Sequence, residues 1–247
     1  MYNLVSEKLK YLILLGSWPF IVSLNLFDED EGIYVHNCGG TIINKHQILS
    51  AAHCFDKSKN PKDWLVIAGK TDIYLPKLHK ASLVEGRREA SNEPSNVYEP
   101  KEIIPHGGFL ESGFVNDIAI INLKRPLKLN NRLIGTIDLA SKPPPDFENC
   151  MVAGWGTTDR DISNPRGYPW KLNEATVEIR NLQECRVDYF FHTAKVYKIK
   201  NRFYRDELIK AKDLWFYVKE EQNICAGNGT IDSCAVRALI TLIILKK

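Results

Sequence analysis

Two segments of this 247-residue chain set proton-exchanging side chains beside apolar runs. Leu49-Ser50-Ala51-Ala52-His53-Cys54 carries a histidine at the end of an apolar stretch, next to a cysteine. Asn116-Asp117-Ile118-Ala119-Ile120-Ile121-Asn122-Leu123 leads an aspartate directly into an apolar strand. A carboxylate so placed is partly buried and needs a partner. A histidine supplies one. The carboxylate accepts from one ring nitrogen, fixes the tautomer, and stabilises the imidazolium when the other nitrogen takes a proton. Each signal alone is weak, since a lone histidine beside a strand is more often structural than catalytic. Taken in order, they are not weak.

The elements that must hold these groups read as strands. Ile21–Leu26, Thr41–Leu49, Trp64–Ala68, Ile118–Leu123, Met151–Ala153 and Ala175–Ile179 are short and rich in Val, Ile and Thr. Turn chemistry separates them, at Gly39-Gly40, Asn60-Pro61, Pro105-His106-Gly107-Gly108, Pro143-Pro144-Pro145 and Asn164-Pro165. Many short strands with few helical patterns predict an all-β fold, a barrel or a sandwich. Pro143–Pro145 is the best candidate for a linker between two halves. From Val187 to Gln222 the periodicity loosens, and Lys195, Lys198, Lys200, Arg202 and Arg205 occur with no acid among them. The following Glu207–Phe216 stretch has helix-forming composition. It reads as an amphipathic surface helix behind a solvated basic loop, or as a surface for an acidic partner such as a sulfated glycan.

Composition bounds the rest. Hydrophobic residues at 44% and charged residues at 26% describe a globular chain, which excludes disordered, collagen-like and coiled-coil classes. A net charge of +3 gives no case for nucleic acid as a partner. The longest apolar runs, Tyr11–Gly16 and Ala238–Leu245, fall short of the roughly 18–20 residues of a membrane span. The basic start ending at Lys10 precedes only Tyr11–Leu15, below the roughly 7–15 apolar residues of a signal peptide. Six cysteines, at 38, 54, 150, 185, 225 and 234, include no Cys-x-x-Cys pair. Zinc or another metal is therefore not expected, and no cofactor motif stands out. The even count suits disulfides in an oxidising compartment, with six buried thiols as the other reading.

The chain resembles the trypsin-like serine proteases (S1 family, chymotrypsin fold). The likeness rests on Gly16-Ser17-Trp18-Pro19-Phe20-Ile21-Val22-Ser23-Leu24, Cys38-Gly39-Gly40-Thr41, Leu49–Cys54 and Asn116–Leu123. It continues through Cys150-Met151-Val152-Ala153-Gly154-Trp155-Gly156 and Ile224-Cys225-Ala226-Gly227, then Asp232-Ser233-Cys234. The resemblance implies two packed six-stranded β-barrels with catalysis in the cleft between them. It implies an S1-like domain over 16–236, with a first barrel near 18–130, a partial second barrel near 145–236, and a non-family apolar tail at 237–247. His53 resembles the family's general base, Asp117 its orienting carboxylate, and Asp232 the acid that selects substrate Lys or Arg. The resemblance also implies secretion and Cys38–Cys54 and Cys185–Cys225 disulfides, and leaves Cys150 and Cys234 without their family partners. Asn228-Gly229-Thr230 is a glycosylation sequon.

The pattern then stops. After Cys234 the family continues Gly-Asp-Ser-Gly-Gly-Pro, whereas this chain reads Ala235-Val236-Arg237-Ala238-Leu239-Ile240-Thr241. Ala238 stands at the place of the nucleophilic serine, and Ser233 belongs to the specificity pocket instead. The glycines of the oxyanion hole are replaced with it. No cleaved Ile-Val-Gly-Gly-like start precedes Gly16, and Arg237 replaces the aspartate with which such a terminus would pair. The abrupt change is expected of a truncated or frame-shifted member. Two functions follow: a protease of trypsin-like specificity represented by a chain inactive as written, or a non-catalytic homologue that binds a partner through its cleft or the Lys195–Arg205 patch.

Overall fold

The computed structural model describes residues 16–73, 96–111, 115–130, 132–156, 169–183 and 224–227. Its strands are β1 (Ile21–Asp28), β2 (Ile33–Asn44), β3 (Gln47–Ser50), β4 (Trp64–Ala68), β5 (Val97–Tyr98), β6 (Pro100–Pro105), β7 (Ala119–Leu123), β8 (Asn149–Gly154) and β9 (Asn173–Glu178). Alternation along β4 shows why the apolar runs become strands here. Trp64, Val66 and Ala68 point into the main core, while Leu65 and Ile67 join Val97 and Tyr34 on the other face. Both faces of this strand are covered, so the whole segment is apolar.

The first seven strands form one antiparallel sheet in the order β5-β4-β1-β2-β3-β7-β6. Its two outer strands are consecutive in the chain, with Glu99 alone between them. One extended segment therefore pairs with β4 through Val97–Tyr98 and with β7 through Pro100–Pro105. That wraps the sheet back on itself as a barrel, the expected all-β class. Thr41–Leu49, expected as one apolar stretch, is the end of β2, a turn at Lys45-His46, and β3. Asn44 closes that turn by accepting from the His46 N–H at 2.9 Å and donating to Gln47 at 2.7 Å.

The barrel is filled by Val22, Leu24, Ile42, Ile48, Phe55, Trp64, Tyr98 and Ile121, among others. Gly40 is required by this packing, because a Cβ there would lie 2.7 Å from Ile48 Cγ2 and 3.0 Å from Val22 Cγ2. The remaining strands, β8 and β9, pair antiparallel from Asn149↔Glu178 to Gly154↔Asn173. A disulfide joins Cys38 and Cys54, as the resemblance implied. Cys225 is also disulfide-bonded, and its expected partner Cys185 lies outside the described residues. Cys150 is a buried free thiol. The helix expected in the basic insert and the apolar tail at 237–247 lie outside the described residues as well. No helix among the described residues is long and apolar enough to cross a membrane.

Candidate active site

Strand register brings the two candidate residues together. β3 and β7 pair from Gln47↔Asn122 to Ser50↔Ala119. His53 follows the end of β3 and Asp117 precedes the start of β7, so antiparallel pairing delivers both to the same end of the sheet. His53 opens a 3-10 turn, His53–Phe55, in which the Phe55 and Asp56 N–H groups donate to the Ala52 and His53 carbonyls. Three anchors hold that turn. Ala51 and Ala52 are buried before it, Cys54 is bonded to Cys38 of β2, and Phe55 packs edge-on against Trp64 at 4.9 Å. The apolar residues around the histidine are thus what fixes its position.

Asp117 engages His53 twice. Its Oδ1 accepts from the His53 backbone N–H at 2.9 Å, and its Oδ2 meets His53 Nδ1 at 2.7 Å. The two side chains are only 7% and 5% exposed, so this hydrogen bond is shielded from water and its charge little screened. A carboxylate only accepts, so Nδ1 carries the proton and the Nε2 lone pair is the basic position. The disulfide walls the ring, with Cys54 Sγ at 3.8 Å from Nε2. Chemically, such a pair is an imidazole ready to take a proton at Nε2 and a carboxylate placed to stabilise the cation that results.

Cys38, His53 and Cys54 bring three potential metal-ligand atoms within 4.8 Å of one another. Both sulfurs are committed to the disulfide, so the group offers no thiolate and does not fit a metal. Asp232, Ser233 and Ala238, together with Cys185, Cys234, Asn228 and the Lys195, Lys198, Lys200, Arg202 and Arg205 patch, lie outside the described residues.

Sequence reasoning gave no role to a second, partly buried polar pair. His36 Nδ1 lies 2.8 Å from Ser23 Oγ and its ring meets Trp155 edge-on at 5.7 Å. Desolvation lowers the His36 pKa to about 4, which keeps the ring neutral. The serine and histidine stand on neighbouring strands and are distant in sequence, so only strand pairing reveals them.

The closing barrel thus sets a histidine–carboxylate pair at one end of β3 and β7. The trypsin family model matches residues 14–235, and the chain belongs to that family of S1, chymotrypsin-fold serine proteases. Among solved structures, that of GrC is similar at 20% identity and a TM-score of 0.59, over 87% of this chain and 73% of the other. At that identity the likeness speaks for the fold.

Proposed function

We propose that this chain is a trypsin-like protease homologue that holds the base and its orienting carboxylate in working geometry and has no nucleophile. The observation that carries this reading is the His53–Asp117 pair, met at 2.7 and 2.9 Å, in a sequence whose nucleophile position is Ala238. In acyl transfer, the imidazole Nε2 takes the proton of an attacking hydroxyl, and the carboxylate stabilises the imidazolium until that proton passes to the leaving amine. A methyl group at 238 has neither a proton to give nor a lone pair to attack with. Val236 and Arg237 replace the residues whose turn supplies oxyanion donors, so the transition-state charge loses its stabilisation too. Asp232 is the acid that a serine-bearing form of this sequence would use to bind substrate Lys or Arg, and the disulfides fit an oxidising compartment outside the cytosol.

Two assays on the pure, mass-verified chain test this. Arg and Lys ester and amide substrates should be hydrolysed no faster than in buffer, and a serine-directed fluorophosphonate should leave no adduct. Ala238→Ser alone should restore neither, because the flanking turn is unchanged. Stoichiometric fluorophosphonate labelling of the unaltered chain overturns the reading.

A further inference from the structure

Asp117 is reached through a turn with a left-handed residue just before it. Asn116 has φ 55°, in the left-handed region. Residues with a Cβ enter that region at a cost, and asparagine enters it more readily than most. Its Nδ2 donates to the Gly108 carbonyl at 2.9 Å, and the Gly108 N–H donates to His106 Nδ1 at 3.0 Å. On the other side, the Asn116 carbonyl accepts from the Ile118 N–H at 2.8 Å, closing a three-residue turn centred on Asp117. The loop is tied below this point: His106 N–H donates to the Ile118 carbonyl at 2.9 Å, and Leu110 and Val115 exchange main-chain bonds at 3.0 and 3.2 Å.

Two sharp changes of direction therefore fall next to each other, at Asn116 and Asp117, just before β7 begins. A right-handed or extended residue at 116 sends the chain into β7 along a different line. The Asp117 carboxylate then no longer meets the His53 backbone N–H and Nδ1 together. We propose that Asn116 is a positioning residue whose left-handed backbone aims the Asp117 carboxylate at His53. This rests on His53 and Asp117 acting as a base-and-carboxylate pair. The side-chain amide is a tether to Gly108, secondary to the backbone conformation.

The test follows the His53 Nδ1 proton by NMR in the full chain at fixed pH, with Asp117→Asn as the reference for a broken pair. Asn116→Ala removes both the amide and the ready access to φ > 0. Asn116→Gly removes the amide and keeps that access. In the unaltered chain and in Asn116→Gly, the low-field Nδ1 resonance should persist. In Asn116→Ala it should exchange with solvent about tenfold faster or more, approaching Asp117→Asn, since a well-aligned hydrogen bond to a charged group is lost. A purely structural role would lower the melting temperature and leave the resonance of the folded fraction unmoved. Wild-type exchange in Asn116→Ala overturns the proposal, as does an Asn116→Gly that behaves like Asn116→Ala. If the alanine variant does not fold, Asn116→Ser, which likewise enters φ > 0 only at a cost, takes its place with the same expected and overturning results. An Asp117→Asn chain that keeps the resonance overturns the underlying pair instead.

Discussion

Ser23, Asn25 and His36 form a polar cluster that carries no charge. Asn25 Nδ2 donates to the Ser23 carbonyl at 3.1 Å and to Ser23 Oγ at 3.0 Å, and the same hydroxyl meets His36 Nδ1 at 2.8 Å. Desolvation penalises a charge on this ring and lowers its pKa from 6.5 to about 4. The folded value lies below the unfolded one, so the unfolded chain binds the proton first as pH falls. Stability should drop by on the order of 3 kcal/mol between pH 6.5 and pH 4, and this contribution is constant above and below that window. Urea melts at pH 7.5 and 4.5 check this against His36→Asn, which keeps an acceptor for Ser23 but has no proton to take up. The variant's pH dependence should be flatter, and an equal slope would falsify the assignment. His53 and Asp117 were legible in the sequence because each is a chemically strong residue set against an apolar run. His36 and Asn116 were not, since the role of one depends on a residue across a bulged strand pair and that of the other on a backbone angle.

Closure of the barrel depends on one short, unpromising segment. Val97-Tyr98-Glu99-Pro100-Lys101-Glu102-Ile103-Ile104-Pro105 carries two prolines and three charges, so its strands escape a reading by apolar runs. The prolines stand at the two ends of β6, the first residue of a strand being a place where proline is tolerated. Pairing with β7 slips between Pro100 and Glu102. Runs with a mostly apolar pattern, at β4 and β7, were readable for the opposite reason: both local propensity and burial favour a strand there. What holds the closing segment is Tyr98, which is fully buried. Its hydroxyl accepts from the Lys128 N–H at 3.2 Å, and the Arg125 guanidinium lies 4.7 Å over its ring while donating to the Val97 carbonyl at 2.6 Å. Tyr98→Phe keeps the ring and the cation contact, so it should cost only about 1 kcal/mol for the lost acceptor. Tyr98→Ala opens a cavity at the seam and should cost about 3–5 kcal/mol. Chemical denaturation of the two variants gives both numbers, and similar losses would mean that the ring does not carry the closure.

Across the whole molecule, the described hydrogen bonds between the β8–β9 pair and the barrel lie near one end of the pair, and Met151 of β8 packs against the barrel's core as well. At that end the Trp18 indole donates to Glu174 at 2.6 Å, the Leu172 and Ile73 N–H groups donate to the Thr71 and Trp170 carbonyls at 2.7 and 2.9 Å, and the Trp155 indole donates to Thr71 at 3.2 Å. Ala153, Trp155 and Leu172 share the barrel's core there. At the opposite end, Cys150, Val177 and Ile179 form a separate small cluster with Val152 and Ala226. A small cluster buries little apolar surface and opens at a lower free energy than a large core, whereas the barrel is further braced by the Cys38–Cys54 bridge, worth about 3 kcal/mol in the chain-entropy model. Cys150 reports on that opening directly. It is buried and free, and desolvation, with Glu148 adding to it, raises its thiol pKa. In the closed state it therefore presents neither access nor thiolate to a reagent. In dilute urea, thiol reagent should reach Cys150 about ten- to a hundred-fold faster than complete unfolding allows, while the far-UV strand signal is still intact. Peptide mapping assigns the modified thiol. Protection of Cys150 until the strand signal itself collapses would show that the two parts open as one unit.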